Sequence, residues 1–82
     1  MADKNSKQFE VVYFQTDTFG NRVVGLDGEI VATDNPIYKN GTTIFMEELG
    51  LKGFKFESQI VVHMPNGGYR INWVFQREIE QT

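Results

Sequence analysis

From Phe9 the chain alternates, with Phe9, Val11 and Tyr13 on one side and Glu10, Val12 and Phe14 on the other. Its β-branched and aromatic content predicts a strand reaching about Thr16. The polar, aperiodic residues 1–8 predict a disordered terminus, ahead of one domain over 9–80. Asp17 to Asn21 reads as a loop. Arg22–Leu26 and Glu29–Thr33 then flank Asp27-Gly28, and an Asp-Gly pair between apolar runs predicts a tight hairpin with positive φ at both turn residues. Asp34-Asn35-Pro36 breaks the pattern, and Asn40-Gly41 marks another turn.

Thr42 or Thr43 is the expected cap of a short helix whose Phe45 and Leu49 fall on one face. Gly50 is the expected left-handed stop of that helix, and Gly53 lets the backbone turn again. Two long strands follow. In the first, Phe54, Phe56, Ser58, Ile60, Val62 and Met64 alternate with Lys55, Glu57, Gln59, Val61 and His63. Pro65 to Gly68 reverses the chain. In the second, Tyr69, Ile71, Trp73, Phe75, Arg77 and Ile79 alternate with Arg70, Asn72, Val74, Gln76 and Glu78. The pattern as a whole predicts an α+β fold: an antiparallel sheet of about five strands, in the order β-β-β-α-β-β, with one short helix on one face.

Composition narrows the functions open to such a domain. Eighty-two residues make one domain with a thin margin of stability. The chain has no cysteine and one histidine, His63. No thiolate metal site is possible, and no metal or other cofactor is expected. Small domains without disulfide or metal often gain stability by oligomerising. Eleven acids against eight bases give a net charge of −3, which offers no footprint for a nucleic-acid backbone. No apolar run approaches a membrane span, and Met1–Lys7 carries no hydrophobic signal segment. The cytoplasm is the expected compartment.

The segment from Phe45 through Leu49-Gly50-Leu51-Lys52-Gly53-Phe54-Lys55-Phe56-Glu57-Ser58 resembles a signature of small bacterial and phage domains. Those domains carry a helix ending in Leu-Gly-x-x-Gly-Trp-Glu-Leu-Val-Ser and a last strand closing on an aromatic followed by charged residues. Phe75-Gln76-Arg77-Glu78 and the opening Phe9-Glu10-Val11-Val12-Tyr13 are similar to the corresponding parts. Phe54 stands where that family has Trp, and Lys55 where it has Glu. The family is one of unknown function, so the resemblance implies a small sheet with a packed helix and transfers no catalytic residue.

Candidate chemistry is sparse. The Phe54/Phe56/Ile60/Val62 and Tyr69/Ile71/Trp73/Phe75 stripes are expected beneath the helix as core, with Trp73 near Phe45 and Leu49. Val12, Phe14, Val61 and Val74 are then expected together on the other face, an apolar centre with a polar rim, as in a protein interface. A lone histidine without a nucleophile does not make a catalytic site, and the chain is not expected to be an enzyme. Arg70, His63, Asn72 and Tyr69, with the amides of Gly67 and Gly68, are candidates to hold a small anionic, nucleotide-like molecule at an oligomer interface. Arg70 and His63 are expected on the same face for that purpose. The leading expectation is a self-associating interaction module, most simply a dimer, with the small-ligand binder as the alternative.

Overall fold

In a computed structural model of the chain, which describes residues 8–79, five antiparallel strands and two short helices form an α+β domain. The elements are β1 (Gln8–Thr16), β2 (Val23–Leu26), β3 (Glu29–Ile30), α1 (Pro36–Asn40), α2 (Thr42–Leu51), β4 (Lys55–His63) and β5 (Tyr69–Ile79). The strand order across the sheet is β3-β2-β1-β5-β4. The terminus expected to be disordered lies outside the described residues, except for Gln8, which already belongs to β1.

The turns follow their sequence. Asp27 (φ 50°) and Gly28 (φ 86°) make the two-residue turn between β2 and β3, and both lie in the left-handed region that a type I′ turn needs. Between β4 and β5, Gly67 N–H donates to Met64 O and Met64 N–H to Gly68 O, with Gly67 at φ 91°. That is the three-residue hairpin in which a type I turn is followed by a left-handed glycine.

The helices depart from the sequence reading in three ways. First, α1 is an added turn of helix: the Asn35 side chain caps it by accepting from Ile37 N–H, and Pro36 occupies its first position. Second, neither Thr42 nor Thr43 caps α2. Gly41 does so at φ 89°, and the N–H of Thr42 goes instead to the carbonyl of Asn21 at 3.0 Å. Third, the stop is Gly53 and not Gly50. Gly50 is helical, Gly53 sits at φ 88°, and two bonds close the end: Phe54 N–H to Leu49 O and Gly53 N–H to Gly50 O. This 6→1 and 5→2 pair is the Schellman arrangement, completed by burial of both Leu49 and Phe54.

Both helices lie on one face of the sheet. Their side chains meet a core of Phe14, Val23, Val31, Phe45, Leu49, Phe54 and Phe75. Phe14 is its centre: it is fully buried, lies edge-on to Phe45 at 4.9 Å and stacks on Trp73 at 6.1 Å. Trp73 flanks this centre, half-buried, with its indole N–H donated to Thr16 Oγ at 3.0 Å. Arg77 ties the far end together. It donates to Glu10 and to Lys52 O at 2.6 Å, and its guanidinium lies 4.6 Å from the Phe54 ring centre. The carbonyl of Lys52 ends α2, so a cation there also complements the helix dipole. Arg22 does the same for α1, donating to Tyr38 O at 3.0 Å and to Lys39 O.

Candidate functional site

Register decides which side chains share a face, because directly opposed residues of an antiparallel pair point the same way. Phe14 opposes Trp73 and Val12 opposes Phe75, so Val12 and Phe14 belong to the helix-covered side with Trp73. Val74 opposes Tyr13 and belongs to the uncovered side. Val61 opposes Ile71, which returns it to the helix side. The four residues expected to form one exposed patch are therefore divided: Phe14 and Val12 in or against the core, Val61 at its margin, Val74 alone on the open face.

A bulge produces half of that correction. The β4–β5 register shifts between Phe56 and Ser58, where Phe56 opposes Phe75 but Ser58 opposes Val74. The extra residue, Glu57, inverts the alternation from there on. Phe56 faces the helix side and touches the rings of Trp73 and Phe75. Beyond the bulge, Gln59, Val61 and His63 take that side, while Ser58, Ile60 and Val62 turn to the open face. Ile60 and Val62 are thus not core, contrary to the unbroken stripe the sequence suggests.

The residues considered for an anion do not converge either. His63 opposes Tyr69 and meets its ring at 4.7 Å on the helix side. Arg70 opposes Val62, and Asn72 opposes Ile60, on the open side. An odd offset along the strands separates the two pairs, so Arg70 and His63 point in opposite directions. The hairpin itself occupies the amides: Gly67 N–H donates to Met64 O, and Gly68 N–H to Asn66 Oδ1. Asn72 Oδ1 is buried and has no hydrogen-bond partner among the described residues.

A groove of about 700 Å³ runs between the starts of β1 and β4 and the end of β5. Lys52, Lys55 and Arg77 line it, but so do Glu10, Glu57 and Glu78. Arg77 pairs with Glu10, and Gln76 donates to Glu57. Opposite charges at such distances cancel one another's field, so the groove has no bias towards an ion of either sign. Among the described residues, no three or more His, Asp or Glu side chains gather as metal ligands, and no helix is long and apolar enough to cross a membrane.

What remains exposed is apolar sheet. The open face carries Val11 and Ile60, 53% and 62% exposed, around half-buried Tyr13, Val62 and Val74. Lys55, Arg70 and Gln76 rim it. At the edge, all of β4 except Val62 is exposed, including Phe56 and Val61. No family model, no curated protein and no solved structure matches this chain.

Proposed function

We propose that this chain is a small interaction module that self-associates through its sheet, most simply as a two-fold dimer. The observation that carries the reading is exposed apolar sheet: an open face with Val11, Ile60, Val62 and Val74, and an unpaired edge strand, β4, with Phe56 and Val61 exposed. An apolar centre with a polar rim is the anatomy of an interface. In so small a domain, burying that surface also adds stability that the core alone supplies sparingly. The reading places the protein in the cytoplasm and assigns it no reaction. Membership of the bacterial and phage family that the Leu49–Ser58 motif resembles belongs to the same proposal; the helix stop at Gly53, followed at once by buried Phe54, supports it.

Sedimentation over a concentration series tests the module directly. The expected result is a dimer that dissociates on dilution. A monomer persisting to high micromolar concentration refutes the reading.

A further inference from the structure

β4 ends the sheet, and among the described residues nothing pairs with its outer edge. The hairpin sets the phase of its main-chain groups. Met64 N–H donates to Gly68 O at 2.7 Å, and opposed residues of an antiparallel ladder alternate between bonded and non-bonded pairs. Val62 and Ile60 therefore direct their N–H and C=O groups to Arg70 and Asn72. Gln59, Val61 and His63 direct theirs outward, away from β5. Exposed edges are ordinarily blunted by lysine, proline, a bulge or brevity. Here Lys55 and the bulge precede the run Ser58–His63 and Pro65 follows it, while the run itself contains none of these.

We infer that this edge pairs, antiparallel, with the same edge of a second copy of the chain, across a two-fold axis beside Val61 and perpendicular to the sheet. The inference rests on the self-association reading and assigns the contact to the sheet's edge, so the open face runs on across both copies and stays uncovered. Side-chain matching fixes the register. With the axis at Val61, Val61 opposes its own copy, Ile60 opposes Val62 of the second copy, and Gln59 opposes His63. Apolar side chains then meet apolar ones on the open face, and an amide meets an imidazole on the helix side. Each outward-facing residue exchanges main-chain bonds with another outward-facing residue. Moving the axis to Ile60 would set Gln59 against Val61 and Ser58 against Val62. Moving it to Gln59 would set Glu57 against Val61. Of the outward-facing residues, the third, His63, would as an axis set Val61 against Pro65, which has no N–H to give to the ladder, so the Val61 register is the one that pairs like with like and keeps its main-chain bonds. This self-complementarity selects a second copy over an unrelated strand. The product is a continuous sheet with both pairs of helices on one face.

The chain has no cysteine, so Val61→Cys introduces a single thiol. Cα atoms of a bonded antiparallel pair lie about 5.5 Å apart, within disulfide reach. Mild oxidation is expected to convert V61C into a covalent dimer, and to leave Val11→Cys, exposed on β1, as monomer on a denaturing gel. Val61→Pro removes an N–H that points outward, so it breaks no bond within the monomer. V61P is expected to sediment as a monomer with the circular dichroism of the wild type. A wild-type dimer that survives V61P and leaves V61C uncrosslinked overturns the edge pairing while self-association stands. A monomeric wild type at high micromolar concentration overturns both. Should V61P fail to fold, the V61C crosslink against the Val11→Cys control decides.

Discussion

Two glycines three residues apart, Gly50 and Gly53, are expected to respond to alanine with opposite signs. Gly50 lies inside α2 with helical backbone, and a Cβ built there meets nothing within 4 Å. Alanine at that position removes only the conformational freedom that glycine has in the unfolded chain, a gain of about 0.8–1 kcal/mol. Gly53 also has open space around a Cβ, but its φ is 88°. Sterics with neighbours play no part, so the cost is that of a left-handed L-residue alone, about 1–2 kcal/mol. For a domain of this size, 1 kcal/mol moves the melting temperature by roughly 4–8 °C. Gly50→Ala should thus melt about 4–8 °C above the wild type, and Gly53→Ala about 4–15 °C below it. Asparagine at position 53 should lose less than alanine, because it tolerates this region better. Thermal melts by far-UV circular dichroism, at one protein concentration to hold any association fixed, read all three. A Gly53→Ala variant as stable as the wild type, or a destabilised Gly50→Ala, would show that the helix ends elsewhere.

Phe14→Ala empties the centre of the core and should cost about 3–5 kcal/mol in urea denaturation, whereas exposed Val11→Ala should stay within about 0.5 kcal/mol of the wild type; similar losses at both would invert the assignment of faces. Arg77→Ala should cost about 1–2 kcal/mol, mostly through the charge-assisted bond to Lys52 O, since the partly exposed pair with Glu10 contributes little. Arg77→Lys should recover only part of that, because one ammonium cannot bridge Glu10 and Lys52 while stacking on Phe54; full recovery would reduce the latch to a point charge.

The turns were legible because their chemistry is local: Asp27, Gly28 and Gly67 take positive φ where the sequence supplies residues that tolerate it. The faces were not. In β1 both alternating sets contain large apolar residues, Phe9, Val11 and Tyr13 against Val12 and Phe14, so a period of two cannot say which set is buried. In β4 the bulge at Glu57 has no residue-level signal, yet it reverses every position after it. That single insertion puts Ile60 and Val62 on the face opposite Phe56, while the hairpin, by setting Tyr69 opposite His63, separates His63 from Arg70. Two missed features did leave a trace. Asn35-Pro36 is a cap followed by a first-turn proline, which announces α1. Leu49 and Phe54, five apart around Gly53, carry the apolar contact of a Schellman stop, which Gly50 followed by exposed Leu51 lacks.

β5 is the last of the described strands in chain order and lies between β1 and β4. Its pairing of Gln8 with Ile79 closes a loop of nearly the whole domain. Before β5 exists, β1 has only the short β2–β3 hairpin beside it and β4 has no partner among the described strands. Helices as short as α1 and α2 do not persist without a sheet to pack on, and the arginine that latches α2 arrives on β5 itself. A fragment ending at Gly68 should therefore show no cooperative melt; a sharp transition in it would contradict this. Folding of this domain therefore waits for β5. Its nascent chain stays open to chaperones and proteases until that strand has left the ribosome, and its rate of folding is limited by a search between distant ends.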